Sequence, residues 1–259
     1  MFGRVSRRVF LQGVGGGIMT TASIGCRTTS ARTAGVKSGA DQKPQLKKAL
    51  MYSMLPASLP TADRFKLAAD LGFQGLEVQT IHDNKVVDTL RAAADKAGIR
   101  IHSIMNSESW KYPLSDNDPA TVARGLDILR TSLHNAKAFG ADSVLLIPAV
   151  VTPEVRYKDA WERSQREIRK VLPLARELGV IITIENVGNR FLLSPLEFPR
   201  YIDQINDPYL QAYFDIGNSL ILWGYPQDWL LTLGARIRKI HLKDCDWDKK
   251  RFVLLRDGD

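Results

Sequence analysis

The strongest constraint on the fold is an alternation of short apolar runs with longer amphipathic stretches, which begins near Lys48. The apolar runs, each about the length of a strand, are 49–54, 75–79, 100–105, 143–147, 180–185, 211–215 and 237–242. The stretches between them have helical spacing and occupy 62–71, 85–97, 119–139, 157–178, 195–205 and 226–233. This order is typical of βα units and a parallel sheet. It predicts an α/β fold, a (β/α)8 TIM barrel with about seven of its strands present in this chain.

The net charge of the chain is concentrated at its N-terminus. The 259 residues carry 36 Lys and Arg against 28 Asp and Glu, which gives a net charge of +8. Six of the basic residues, and no acidic residue, lie in 1–40. The rest of the chain is therefore nearly neutral and offers no basic face for phosphates, which argues against a nucleic-acid partner.

The first 26 residues resemble an export signal. S-R-R-V-F-L at 6–11 is a twin-arginine pattern, and the weakly apolar run that follows at 14–24 is too short to span a membrane. We predict a twin-arginine signal peptide over 1–26, a disordered spacer over 27–47 and a periplasmic or extracellular barrel over 48–259. Contact with the membrane is expected only through this signal or through a lipid at Cys26. The lipid is the second choice, because the residues before Cys26 make a poor lipoprotein cleavage site.

Three consecutive predicted strands end on residues that can bind a divalent metal. They read V-I-I-T-I-E-N, L-Q-A-Y-F-D-I-G-N and R-I-R-K-I-H-L-K-D, with Glu185, Asp215 and His241 near their ends. Strand side chains alternate between two faces, so these three residues share one face and their apolar neighbours share the other. Two carboxylates and an imidazole at the carboxyl ends of successive strands are how an α/β barrel builds a metal site. The ligand types alone do not separate Mn²⁺, Mg²⁺, Co²⁺ and Zn²⁺.

Four further residues are candidates for substrate binding: Glu77, His102, Asn218 and Lys243. The alternation places Glu77 and His102 on the inward face, where polar groups need a partner or a ligand. For Glu77 the alternative is a cap of the following loop, and for His102 it is a hydrogen-bonded core histidine. Lys243 either pairs with Asp244 at the rim or neutralises a substrate oxyanion, and the sequence does not decide between these roles.

A metal held by three residues, with coordination positions left open, suits proton transfer on a hydroxy-ketone. It would chelate neighbouring oxygens, acidify the carbon-bound proton and stabilise the enediolate formed when a carboxylate removes that proton.

The motifs I-E-N, F-D-I-G-N and I-H-L-K-D together resemble the sugar phosphate isomerase/epimerase family, the xylose isomerase-like TIM barrels. The resemblance covers about 48–259, and within the family the patterns are most similar to pentulose-phosphate and ketose 3-epimerases. It implies that Glu185, Asp215 and His241 are metal ligands and that Glu185 is one of two acid/base glutamates. It places the second glutamate, which is also the fourth ligand, on an eighth strand.

The C-terminal end of the predicted barrel is expected to be incomplete. By the same resemblance, L-L-R-D-G-D at 254–259 lies just before the seventh helix. We therefore expect the last helix, strand and helix to be missing from this chain. Unpaired first and seventh strands would then make the chain prone to aggregate or associate, and inactive by itself.

We predict a metal-dependent isomerase or epimerase that acts on a sugar or sugar-like polyol by proton abstraction through an enediolate. Sugar phosphates are scarce outside the cytoplasm, so a free or oxidised sugar or a glycoside derivative is the expected substrate. The alternative is a non-catalytic carbohydrate-binding barrel, followed by an endonuclease-like or glycoside-cleaving relative. The endonuclease branch of the family has a histidine where this chain has Asn218, which disfavours it. The sequence leaves a homo-oligomer open.

Overall fold

The core of the fold is a parallel sheet whose strands follow the order of the chain. The computed structural model describes residues 46–222 and 224–258. The strands pair in the order β1-β2-β3-β4-β5-β6-β7. They are β1 (Ala49–Met51), β2 (Gly75–Gln79), β3 (Arg100–Met105), β4 (Ser143–Leu146), β5 (Ile181–Glu185), β6 (Leu210–Asp215) and β7 (Ile237–His241). This confirms the predicted TIM-barrel class with its seven parallel strands.

Helices connect successive strands, as the amphipathic stretches predict. They are α1 (Thr61–Asp70), α2 (Asn84–Ala97), α3 (Pro119–Phe139), α4 (Tyr157–Leu178), α5 (Glu197–Ile205), α6 (Ile216–Ile221) and α7 (Pro226–Leu233). The start of α3 shows why the bounds are readable from the sequence. Asp118 caps it by accepting from the backbone N–H groups of Ala120 and Thr121, and Pro119 occupies the first turn. Gly140 then ends α3 in the left-handed region at φ 65°.

The outward face of the sheet is apolar and packs against the helices. One row of laterally paired residues crosses four strands: Ile104, Val144, Ile182 and Leu210. All four are buried and belong to the hydrophobic core. The inward row is polar by contrast, because Glu77 pairs with Ser103 and Ser103 pairs with Ser143. Burying polar groups on the inner face costs free energy unless they have partners, so this face is where a site is expected.

The sheet curls so that its late strands face its early ones. Lys239 on β7 donates a hydrogen bond to the backbone oxygen of His102 on β3 at 2.6 Å, although β4, β5 and β6 lie between these strands in the sheet. A flat sheet would place β3 and β7 about 19 Å apart, four strand spacings of about 4.8 Å. The contact therefore requires barrel-like curvature.

The structure departs from the sequence-based bounds in a few places. β1 ends at Met51 rather than residue 54, since Tyr52–Met54 forms a 3-10 turn. The short helix α6 and an antiparallel hairpin of β8 (Asp244–Asp246) and β9 (Arg251–Val253) were not predicted. Both are too short to carry a periodic apolar pattern.

Two predicted segments lie largely outside the described residues. These are the signal peptide, 1–26, and the spacer, 27–47, of which only the last two residues are described. Residues from Leu46 onward form one compact unit. No helix in the described part of the chain is long and apolar enough to cross a membrane.

Candidate metal centre

Glu185, Asp215 and His241 converge at the carboxyl ends of β5, β6 and β7. Their candidate ligand atoms all lie within 4.8 Å of one another. His241 Nδ1 is 2.7 Å from Glu185 Oε1 and 3.7 Å from Asp215 Oδ2. Asp215 pairs laterally with His241 in the sheet, which fixes two of the three groups side by side. The structure thus brings together the three residues that the sequence proposes as metal ligands.

An amide clamp, formed by the side chains of Asn186 and Asn218, holds the first two strand ends in register. Asn186 Nδ2 donates to the backbone oxygen of Asp215 at 2.9 Å, and the Asp215 N–H donates back to Asn186 Oδ1 at 2.8 Å. Asn218 Nδ2 donates to the backbone oxygen of Asn186 at 2.9 Å. The asparagines in I-E-N and F-D-I-G-N therefore position the carboxylates beside them.

The two oxygens of the Asp215 carboxylate have different tasks. Oδ1 accepts from the backbone N–H of Asn218 at 2.7 Å and so caps α6. Oδ2 accepts no hydrogen bond among the described residues, although Lys243 Nζ lies 2.6 Å from it as an ion pair. Because Asp215 is fully buried, Oδ2 is the oxygen left for a cation.

His241 lies between carboxylates on both sides of its ring. Nδ1 faces Glu185, and Nε2 lies 3.2 Å from Oε1 of Glu77, which reaches across from β2. The ring of Tyr213 packs against the imidazole with centroids 4.2 Å apart. Burial alone would lower the pKa of His241, but the hydrogen bonds to Glu185 and Glu77 outweigh it and raise the pKa to about 10. The field in this pocket therefore favours positive charge.

The pKa values of the two glutamates move in opposite directions. Burial raises the pKa of Glu185, and the nearby Asp215 charge adds to the rise, against the opposing effect of His241. Burial also raises the pKa of Glu77, but its hydrogen bond to His241 and the charge of that ring bring the pKa below its usual value. Glu185 is thus the carboxyl better suited to take up a proton.

The four candidate substrate residues have distinct surroundings. Glu77 is 3% exposed and contacts His241 rather than capping a loop. Asn218 donates to Asn186, and its Oδ1 lies 3.3 Å from Lys243 Nζ. Lys243 approaches Asp215, a partner that the sequence did not suggest. Contact with substrate stays a prediction for these residues, and the structure gives each of them a partner within the protein.

His102 lies in a separate cluster on the inner face of the barrel, the Lys239 cluster of His102, Asp142 and Lys239. Lys239 Nζ lies 2.7 Å from His102 Nδ1 and 2.6 Å from Asp142 Oδ1. A register shift at Leu76/Glu77 pairs Glu77 with Ser103, so Ser103 takes the inward position beside Glu77 that alternation gives to His102. This surrounding supports the core alternative for His102 rather than a substrate contact.

Sequence reasoning missed Asn186, Tyr213 and Lys239. Tyr213 and Lys239 lie two residues before Asp215 and His241, and so have the same inward phase. Their two-residue spacing from the predicted ligands could therefore have identified them as inward-facing. The pairing of Asn186 with the backbone of β6 had no sequence signal, because it depends on how two strands lie side by side.

The residues at this mouth fit a divalent cation. The set provides two carboxylates and one imidazole nitrogen, which is an accepted donor set for Zn²⁺, Mn²⁺, Co²⁺ or Mg²⁺. Asp215 Oδ2 is buried and already has a positive charge beside it, the Lys243 ammonium at 2.6 Å, and a divalent cation would take over that role. The fold and site together define a parallel α/β barrel with a candidate metal centre at its carboxyl-terminal mouth.

The chain belongs to the xylose isomerase-like TIM barrel family, whose sequence model matches residues 65–259. This confirms the family predicted from the three motifs. The L-ribulose-5-phosphate 3-epimerase UlaE of Shigella flexneri is 26% identical over 215 residues, covering 77% of this chain and 74% of that protein. The same enzyme of Escherichia coli K12 is 25% identical over the same shares.

Solved structures with similar folds include several sugar epimerases. A D-tagatose 3-epimerase-like protein superposes with a TM-score of 0.71 at 17% identity, over 83% of this chain and 82% of that one. A D-psicose 3-epimerase with D-fructose has a TM-score of 0.66 at 21% identity, over 76% and 72%. An L-ribulose 3-epimerase has a TM-score of 0.68 at 16% identity, over 83% and 74%. At these identities the likeness establishes the fold.

Proposed function

We propose that the protein is a divalent-metal-dependent epimerase or isomerase of a sugar or sugar-like polyol. The observation that carries this proposal is the convergence of Glu185, Asp215 and His241 at the mouth of the barrel. The related proteins of the family that are named as sugar epimerases support the substrate class.

Glu185 acts as the base in this proposal. It takes the proton from a carbon next to the sugar carbonyl, the C–H electron pair forms a carbon–carbon double bond, and the carbonyl electrons move onto oxygen. The product is an enediolate. Return of a proton to the same carbon from the opposite face inverts its configuration, while return to the neighbouring carbon isomerises the sugar. The chemistry that a bound divalent cation supplies is polarisation of the carbonyl and stabilisation of the oxygen's negative charge.

The other residues of the centre prepare Glu185 for this task. Asp215 and His241 fix the cation, and the amide clamp keeps Asp215 next to Glu185. The family resemblance assigns the opposite-face proton to a second glutamate on an eighth strand.

Substrate and location follow from the proposed export signal. A free or oxidised sugar or a glycoside derivative is preferred over a sugar phosphate, since the proposed location is outside the cytoplasm. UlaE, by contrast, is named for a sugar phosphate. A panel that contains both phosphorylated and free ketopentoses and ketohexoses therefore tests which of the two classes is the substrate.

Proton exchange with solvent tests the proposal. The full-length gene product is incubated with Mn²⁺ and each sugar in deuterated buffer, and loss of carbon-bound hydrogen signals is followed by NMR. We expect deuterium at the carbon that inverts, for at least one sugar of the panel. Binding of a sugar without exchange at any carbon would favour a carbohydrate-binding barrel and overturn the enzyme proposal.

A further inference from the structure

We propose that Glu77 is a positioning residue for the metal centre, one that accepts the Nε2 proton of His241 and so presents Nδ1 as the ligand atom. This inference rests on the metal site of the proposed function. Glu77 lies on β2, five strands away from β7 in sheet order, and curvature of the sheet brings its carboxylate to the imidazole.

The geometry around the imidazole gives the two ring nitrogens different roles. Nδ1 faces the space shared by Glu185 Oε1, at 2.7 Å, and Asp215 Oδ2, at 3.7 Å. Nε2 faces Glu77 Oε1 at 3.2 Å on the other side of the ring. Once Nδ1 binds a metal it carries no proton, so the metal-bound ring holds a single proton. The proton therefore belongs on Nε2, where Glu77 accepts it.

Glu77 lies outside the group of ligand atoms. The cluster of mutually close donors in the described part of the chain contains Glu185, Asp215 and His241 but not Glu77. Glu77 is 3% exposed, and its Oε1 faces Nε2, whereas Glu185 faces Nδ1. A fourth ligand or a substrate contact would need it on the Nδ1 side.

A second contact restrains the plane of the ring. Tyr213 packs on the imidazole at a centroid distance of 4.2 Å and a tilt of 41°. Packing limits tilting of the ring, and the Glu77 hydrogen bond selects its tautomer and direction. Carboxylate–histidine–metal arrangements of this kind raise the basicity of the ligating nitrogen, and their loss weakens metal affinity by about 10–100-fold.

Metal affinity of Glu77 variants tests this role without relying on activity. Glu77→Leu removes the acceptor, and we expect Zn²⁺ and Co²⁺ dissociation constants, measured by chelator competition, to rise about 100-fold. Glu77→Gln keeps an acceptor and removes the charge, so about a tenfold rise is expected. Glu167→Gln is the matched control, because Glu167 is equally buried but pairs with Arg166 and Lys170 on α4.

A direct readout of the tautomer accompanies the affinities. In the Zn²⁺-loaded protein, ¹⁵N NMR should show a protonated Nε2 and a metal-bound Nδ1 for His241. Protonation of Nδ1, or an unchanged metal affinity in Glu77→Gln, would overturn the inference. Should Glu77→Leu fail to fold, Glu77→Gln decides, since it preserves the shape of the side chain.

The outcomes separate this inference from the proposed function. Proton exchange by the wild-type protein together with unchanged affinity in Glu77→Gln defeats the positioning role alone. Weakened metal binding in the variants, without any sugar exchange by the wild type, defeats the epimerase proposal alone. A wild-type protein that binds no divalent ion overturns both.

Discussion

At the scale of single residues, Asp215 combines two tasks that a substitution can separate. Oδ1 caps α6 through the Asn218 N–H, while Oδ2 is the buried oxygen that faces the Lys243 ammonium and the metal centre. Asparagine would use its only oxygen for the cap, so its NH₂ group would take the place of Oδ2 and offer a cation no ligand atom.

We therefore expect Asp215→Asn to lose tight divalent-metal binding but still to fold, with a metal-free melting temperature lowered by the loss of the Lys243 ion pair. Metal content of the purified, dialysed protein and thermal unfolding measure the two effects. Asp118→Asn, at the cap of α3, is the matched control and should keep a full equivalent of metal. A full equivalent in Asp215→Asn would place the cation elsewhere.

Glu185 is expected to contribute more to turnover than to metal binding. Glu185→Gln keeps an oxygen ligand and removes the base. The rate of proton exchange should fall about 10²–10⁴-fold, the usual contribution of a general base. Metal affinity should change less, because an amide oxygen remains. Equal losses in exchange and in metal affinity would show that Glu185 serves as ligand only.

At the scale of elements, the Lys239 cluster links β7 to β3 and to the residue before β4. Burial, followed by the charge of Lys239, lowers the pKa of His102 to about 4. The folded pKa thus lies below the ordinary value of 6.5, so the unfolded state binds a proton first as the pH falls. Neutral His102 therefore makes its full contribution to the free energy of unfolding above pH 6.5. This contribution is lost as the pH falls from 6.5 to 4, and the loss amounts to about 3 kcal/mol.

His102→Gln should flatten this pH dependence, since glutamine does not titrate and can still accept from Lys239. The difference in unfolding free energy between wild type and variant is measured by denaturant titration at pH 7, 6 and 5. As the pH falls, the variant should lose less unfolding free energy than the wild type does. His134→Gln, an exposed histidine of α3, serves as control. A constant difference from pH 7 to 5 would contradict the lowered pKa of His102.

The elements that the sequence predicts well are those whose pattern is repeated locally. β2 and β3 have the predicted bounds because each is a short apolar run between turn residues. The Asp118 cap and Gly140 mark the two ends of α3, and Gly179 marks the end of α4. β8, β9 and α6 depend on contacts made only after the chain has folded. An example is the approach of Lys243 to Gly217, where a side chain on Gly217 would come within 2.4 Å of Lys243 Cβ.

The candidate site was partly predictable for the same reason. Alternation within β5, β6 and β7 places Glu185, Asp215 and His241 on one face, and the structure brings them together. His102 also lies on the inner face, as alternation predicts, but the register shift between β2 and β3 puts Ser103 rather than His102 beside Glu77. The contact of Glu77 with His241 depends on the curvature of the whole sheet, which no single strand encodes.

At the scale of the whole molecule, the twin-arginine signal stays a prediction. Replacing both Arg7 and Arg8 with Lys preserves the charge and removes the guanidiniums that the export route is expected to read. We expect the variant to accumulate in the cytoplasm, as shown by fractionation and immunoblotting. Replacing Arg27 and Arg32 with Lys is the matched control and should leave export unchanged. Export of the Arg7/Arg8 variant at the control level would contradict the prediction of a twin-arginine signal.

The amide clamp has a consequence for engineering. Asn186 ties the backbones at the ends of β5 and β6, so the spacing between the two carboxylates is set before the chain enters the loops that follow. We expect that segments beyond Asn186 and Asn218 can then be exchanged with loops of other barrels without disturbing the ligand geometry. Changes in the choice of sugar and changes in metal affinity thereby become separable objectives, with the first sought in the loops and the second at Asn186, Asn218 and Glu77.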